Sequence, residues 1–400
     1  MERFDERELD AVAEVIRSGE LSRFFNSFAG GKNVQAFEEE FANYLGCKYA
    51  VSVSNGTVAL EVALAALDLK LGDEVITTPL TFIATATAIL CVGAKPVFVD
   101  IDPETLNMDE LQVEDSITRK TKAILSVSLL GKPARMSILQ SIANDYHLTL
   151  VEDAAQALGT RSDLDQGAWR GNSALPSHIG TVSDIATFSF QESKSITSGG
   201  EGGMIATDSD ELADLCRHIR NHGNTYGTLE MTQPCTNARM TEMQAAFGRV
   251  QLTKLDEFIL IQRKNAQVLF DNLKQPLIPV YTEMDSTYYL IPYYIDPDGV
   301  TKFTDMIPSY AVQYKMSRDE FIEKCRQAGV SKGIPGQNIG YYKKLVYDNP
   351  IFQKYKPKHG CMNAEWARDN ILLFDVHRWN KTPEDMVKTA EVINKITQDR

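Results

Sequence analysis

Phe188-Ser189-Phe190-Gln191-Glu192-Ser193-Lys194, followed by Gly199-Gly200-Glu201-Gly202-Gly203, is the stretch on which the reading of this 400-residue chain turns. The alternating run from Ile185 to Phe190 has a period of two and reads as a β-strand. It leads into a Ser/Thr/Gly segment unsuited to a helix interior, so Lys194 sits on a tight turn beside a sheet. A lysine in that place is ordinarily a solvated charge. The sharper reading is a lysine held in a pocket to form a Schiff base, since an amine is nucleophilic only where its surroundings favour the neutral form.

Two further stretches favour the sharper reading. In Leu150-Val151-Glu152-Asp153-Ala154-Ala155-Gln156 an apolar strand closes on a carboxylate. Ligands of open α/β sheets bind outside the carboxyl ends of the strands, which puts Asp153 where a cofactor would lie. A pyridoxal phosphate (PLP) site needs such an acid, because a carboxylate beside the pyridine nitrogen keeps it protonated and strengthens the ring as an electron sink. The plainer reading of Asp153 is a helix N-cap. Val53-Ser54-Asn55-Gly56-Thr57 then opens a helical run from Val58 to Leu67, and N–H groups at a helix start with hydroxyls beside them suit a phosphate.

Composition sets the outer bounds. A chain of 400 residues exceeds what one core normally serves, which predicts a large and a small domain. With 43% hydrophobic and 24% charged residues it has the make-up of a soluble globular protein, and a net charge of −13 argues against nucleic-acid backbone binding. Six scattered cysteines without a CxxC pair suit a reducing compartment, and the beginning Met1-Glu2-Arg3-Phe4 carries no apolar leader. The expectation is a cytoplasmic protein. His218 and His222, four apart on a probable helix, lack a third ligand, so no metal is expected.

Along the chain, strand-like runs at 49–54, 74–78, 96–101, 122–129, 148–153, 185–190 and 203–207 alternate with helical stretches such as 81–92, 137–147 and 211–221. Alternation of this kind implies a mostly parallel sheet covered on both faces, a three-layer αβα domain. One long helix is expected over 241–273, with a domain boundary inside it: 1–254 large, 255–400 small and α+β, with strands near 279–281 and 288–295 and helices at 317–328 and 382–396. The polar loop after Arg161, with Trp169 and Arg170, is long enough to contact substrate or a partner subunit, or to be a solvated insertion. Residues 333–352 read as extended and aromatic.

The motifs SNGTVAL (54–60), EDAAQA (152–157), FSFQESK (188–194), GEGG (200–203) and NARMTEMQAA (237–246) together resemble the DegT/DnrJ/StrS family of PLP-dependent sugar aminotransferases, within the aspartate aminotransferase superfamily. The resemblance implies that Lys194 holds the cofactor aldehyde and later acts as base, and that Asp153 pairs with the pyridinium. Gln156, one helical turn on, would donate to the phenolic oxygen unless it is a surface residue. Gly56, Thr57, Val58 and Ser189 would hold the phosphate. Phe82 matches the aromatic position that stacks on the cofactor ring; by sequence alone it reads as core. Asn237 matches the asparagine that reaches the phosphate of a neighbouring subunit, which implies a homodimer with shared sites. Arg239, in the same motif, would meet either a substrate carboxylate or only a helix end, and Tyr341 falls in a segment expected near the substrate.

The implied reaction moves an amino group from glutamate or glutamine to a keto-sugar, nucleotide-linked in most of the family, or to a keto-cyclitol. A PLP-dependent sugar dehydrase, an offshoot with histidine in place of the lysine, and a non-catalytic PLP-binding regulator are the alternatives. Three departures from the family pattern stand out: an extra glycine at Gly199-Gly200, Ser128 where histidine is common, and Cys235 where glycine is common.

Overall fold

In the computed structural model, which describes residues 2–24, 27–161, 178–225, 228–229, 235–274, 277–282, 286–295, 318–328, 344–376 and 382–398, the first half runs α1 (Glu6–Ser18), α2 (Lys32–Leu45), β1 (Tyr49–Val53), α3 (Gly56–Ala65), β2 (Glu74–Thr77), α4 (Ile83–Cys91), β3 (Lys95–Phe98), α5 (Glu110–Asp115), β4 (Thr121–Val127), α6 (Met136–Asp145), β5 (Thr149–Asp153), β6 (Ile185–Ser189), β7 (Gly203–Thr207) and α7 (Asp210–Arg220). There follow β8 (Asn224–Thr225), β9 (Thr228–Leu229), α8 (Glu242–Asn272), β10 (Leu277–Pro279), β11 (Ile291–Ile295), α9 (Arg318–Gln327), α10 (Met362–Asn370), β12 (Leu372–Phe374) and α11 (Pro383–Gln398). Capping boxes fix two important starts, Asp5 with Glu8 for α1 and Thr241 with Gln244 for α8. Leu255, where a domain boundary is expected, lies inside the 31-residue α8.

The first seven strands form one sheet in the order β1-β7-β6-β5-β4-β2-β3. Neighbours are parallel except β7, which opposes both β1 and β6. The reversal has a local cause. Residues 190–202 return β6 directly into β7, with Phe190 N–H donating to Gly202 O (2.8 Å), and parallel pairing would need a longer crossover.

Both faces of the sheet are covered. Ala50, Phe188 and Met204 pack with Phe37 and Phe41 of α2 and with Leu255 and Phe258 of α8, while Ile76, Ile124 and Leu150 pack on Met136 and Leu139 of α6. On the opposite face Val51, Val151, Ile185 and Ile205 meet side chains of α3, α4 and α7. The small sheet, β10-β11-β12, is antiparallel and buries Tyr293 and Phe374 against α8, α9 and α11.

Several expected elements shift. The third strand ends at Phe98 rather than 101, because the Asp100 carboxylate turns aside to accept the N–H groups of Asn363 and Ala364 at the start of α10 (both 2.8 Å). Residues 346–348 and 350–355 form 3₁₀ turns where an extended run is expected; Pro350 at a helix start favours the turn. The helix α7 closes at Arg220, and His222 lies beyond it at φ +58°, so the two histidines do not share a helix. Among the described residues no cluster of three metal-ligating side chains occurs, and no helix is long and apolar enough to cross a membrane.

Candidate active site

The carboxyl ends of β1, β6, β5 and β4 share one edge of the sheet. Gly203 pairs with Val53 on one side and Ser189 on the other, so the turns after β1 and β6 meet over the first residue of β7. Glycine is required there. A Cβ on Gly203 would come within 2.5 Å of Asn55 O, and one on Gly56 within 2.6 Å of Ser189 Cβ. The helix α3 starts at this contact, with Asn55 Oδ1 accepting from Val58 N–H (2.9 Å). Helix geometry leaves the first-turn N–H groups of Gly56 and Thr57 without an intrahelical acceptor, and the Ser189 hydroxyl lies against the same point, a ready anion cradle.

The asparagine motif runs beside this cradle. Ser54 N–H donates to Ala238 O (2.9 Å) and Ala238 N–H to Arg220 O (3.0 Å), which leaves the Asn237 side chain exposed. Arg239 donates to Asn221 Oδ1 (3.0 Å) and stands 5.8 Å over the Phe24 ring.

Asp153 sits two strands away from β7, only 6% exposed. Its Oδ2 accepts the Thr85 hydroxyl of α4 (2.9 Å) and its Oδ1 the Ala155 N–H (3.2 Å). Burial raises the carboxyl above the ordinary carboxylate range; the two hydrogen bonds and the Lys194 charge oppose that rise. Among the described residues Asp153 has no ion pair. A buried carboxylate in this state gains from a cation brought by a ligand. The segment after Asp153 is a turn, not a helix, so its bond to Ala155 N–H caps no helix and Gln156 is not one helical turn on. Nor is Gln156 a surface residue: it is 8% exposed and its amide oxygen accepts from Leu130 N–H (3.0 Å), which orients the amide.

Lys194 is half-buried on the turn that links β6 to β7, and its N–H donates to Gln191 O (2.8 Å). The turn is tied by Thr197 and Ser198 to Phe190 O and by Glu192 N–H to Gly200 O (2.9 Å). Gly199 (φ +84°) and Gly200 (φ +127°) both take backbone conformations that disfavour other residues, so the extra glycine is absorbed as a tight corner. The ammonium lies 5.0 Å over the Tyr289 ring, and the Tyr289 hydroxyl is 3.2 Å from Ser193 Oγ.

Phe82 immediately precedes α4 and is 41% exposed, which corrects the core reading. It lies one turn before Thr85, at the helix end that approaches Asp153. Ser128, the departure from histidine, donates to Glu152 Oε1 (2.6 Å). Trp169 and Tyr341 fall outside the described residues. Sequence reasoning missed Thr85, Tyr289 and Arg3, which are recruited from distant segments. Thr85 alone carried a signal, standing one helical turn after an aromatic already singled out.

The buried acid, the nearby lysine and the cradle that a single Cβ would fill match the charge pattern that pyridoxal phosphate requires. Comparison with known proteins agrees. The DegT/DnrJ/EryC1/StrS aminotransferase family model matches residues 2–396. A pleiotropic regulatory protein of Geobacillus stearothermophilus is 39% identical over 90% of this chain and 86% of its own. GDP-perosamine synthase of Escherichia coli O157:H7 is 39% identical over 65% and 68%. An aminotransferase structure from Psychrobacter cryohalolentis superposes with TM-score 0.82 at 30% identity, covering 98% and 97%. The E. coli GDP-4-keto-6-deoxy-D-mannose-3-dehydratase, solved with hydrated PLP, gives 0.79 at 26% over 99% and 97%. With its mostly parallel sheet, its motifs and a family match over residues 2–396, the chain belongs to the DegT/DnrJ/EryC1/StrS family of PLP-dependent aminotransferases.

Proposed function

We propose that this enzyme moves an amino group from glutamate or glutamine to the ketone of a nucleotide-linked sugar, the donor and the acceptor using one site in turn. The observation that carries this reading is Asp153, a buried carboxylate set beside the Lys194 charge at the ligand-binding edge of the sheet. When bound, PLP supplies an aldehyde and a ring that stores electron density from the carbon losing its proton. Asp153 holds positive charge at the ring nitrogen. Lys194 Nζ provides the amine and then carries the proton between carbon atoms, the task of a general base. The Ser189 and Thr57 hydroxyls and the N–H groups of Gly56 and Thr57 would hold the phosphate, whereas the Val58 N–H, expected there too, is taken by Asn55 Oδ1 (2.9 Å); Phe82 would cover the ring, and the Gln156 amide would meet the phenolic oxygen.

The nucleotide-sugar acceptor is supported by the relative named GDP-perosamine synthase. A keto-cyclitol is the narrower second choice. A dehydrase is disfavoured by Lys194 itself, since that offshoot carries histidine. The relative named as a regulatory protein keeps a non-catalytic role in view. One experiment separates these readings: the visible spectrum of the cofactor-loaded protein before and after adding glutamate or glutamine. Conversion to the amine form of the cofactor, reversed by a keto-sugar, is expected, and an unchanged spectrum with both donors overturns the proposal.

The exposed Asn237 supports a homodimer in which each site takes an asparagine from the partner. Mixing inactive Lys194→Ala and Asn237→Asp proteins should then restore part of the activity, because a mixed dimer keeps one site wholly native. No recovery despite demonstrated subunit exchange contradicts shared sites.

A further inference from the structure

Arg3 lies 191 positions from Lys194, yet its guanidinium is buried against the lysine turn. Only 6% of the residue is exposed, and Nη2 donates to two carbonyl oxygens, those of Glu192 (2.5 Å) and Lys194 (3.2 Å). The two carbonyls flank Ser193, so one cation spans the turn that carries the amine. Burial lowers the Arg3 pKa to about 10, which leaves it charged at neutral pH.

The backbone of Arg3 is itself fixed. Its carbonyl accepts from Gln251 Nε2 (2.8 Å) and Lys254 Nζ (3.3 Å), which are one helical turn apart on α8. Lys254 is 1% exposed and pairs with Glu8 (2.6 Å) and Asp5 (3.0 Å) at the start of α1. The Arg3 guanidinium also stands 5.1 Å over the Phe4 ring, which meets Phe247 of α8 edge-on at 5.6 Å. A chain of contacts therefore runs from α8, through residues 3–8, to the Lys194 turn. Charge-assisted bonds to carbonyls are stronger than neutral ones, and a fork held at its base loses little entropy in making them.

We propose that Arg3 is a positioning residue for Lys194: by bridging the Glu192 and Lys194 carbonyls it holds the turn so that Nζ stays directed over the Tyr289 ring and toward Asp153. The proposal rests on the amine role assigned above to Lys194. It implies that the first residues of the chain are part of the active site rather than a dispensable arm.

The test is amide hydrogen exchange on cofactor-free full-length protein, comparing wild type with Arg3→Met, which keeps the stem without the charge, and Arg3→Lys, which keeps one charged donor. Exchange at Glu192 and Lys194 should quicken at least tenfold in Arg3→Met and less in Arg3→Lys. Amides of α8 around Gln251 to Leu255 should be unchanged in both. In the loaded enzyme kcat should fall about tenfold for Arg3→Met with KM for the amino donor unaltered, and Arg3→Lys should recover part of it. Unchanged exchange at 192–194 overturns the clamp, as does exchange that quickens equally in α8, which would show general loosening. Exchange in cofactor-free protein is independent of the identity of the reactive lysine. A cofactor label found on another lysine would instead defeat the amine role of Lys194, and with it the catalytic purpose of the clamp.

Discussion

Glu152 and Asp153 are consecutive residues at the end of one strand, and the two sides of the sheet surround them in opposite ways. Glu152 is 0% exposed, and each oxygen meets a neutral donor, the Ser128 hydroxyl (2.6 Å) and the Gly180 N–H (2.9 Å). Asp153 faces the α4 side, where one hydroxyl and one N–H are joined by the charge of Lys194. Position and acidity alone do not separate a structural carboxylate from a functional one. The separation lies in the surroundings: both acids accept from a hydroxyl and an N–H, but Asp153, on the α4 side, also stands in the field of the Lys194 charge.

Exchanging each acid for its amide is the strongest way to break the comparison. Asp153→Asn should lower kcat by on the order of 10²-fold or more, since the proton transfer depends on the ring charge it holds, and should weaken cofactor binding by about 1.5–3 kcal/mol. Glu152→Gln should retain kcat within a few-fold per folded molecule. Steady-state kinetics on matched amounts of folded protein checks this, and equal losses would erase the distinction between the two faces.

Stability against pH sharpens it. Burial raises the folded-state pKa of Asp153 above the ordinary aspartate value of 3.8. The folded protein therefore binds this proton more tightly than the unfolded chain, and stability from this group falls as pH rises from just below 4 through the folded pKa. Cofactor-free Asp153→Asn should melt at a higher temperature than wild type at pH 7, and the gap should close as pH falls toward 4. Added cofactor should reverse the order at pH 7. A variant less stable than wild type without cofactor would mean that the carboxylate is already well paired.

The smallest effect belongs to the rim. Phe82→Ala removes a side chain that is 41% exposed, so cofactor-free stability should change by less than about 0.5 kcal/mol. Cofactor affinity should fall by about 0.5–1.5 kcal/mol, the range for an aromatic stack. Paired melting and cofactor titration measure both. A large loss of stability with unchanged affinity would return Phe82 to the core.

Much of this was legible in the sequence because it is local. The strand ending in Asp153, the turn carrying Lys194 and the glycine before Thr57 each declare themselves within a few residues, and alternation of strands with helices gives the layered fold. The small sheet was harder: β12 is a three-residue strand, too short for a period to emerge. The exposure of Phe82 was hidden because an aromatic at a helix start reads the same whether it faces core or cleft. Arg3 and Tyr289 were invisible for a different reason, since their relation to Lys194 exists only through α8 and the small sheet, elements far from it in sequence.

Borohydride reduction of the cofactor-loaded protein, followed by peptide mapping, tests the central assignment most directly. A pyridoxyl group on Lys194, absent from Lys194→Ala, is the expected result. The same label on any other lysine would contradict it.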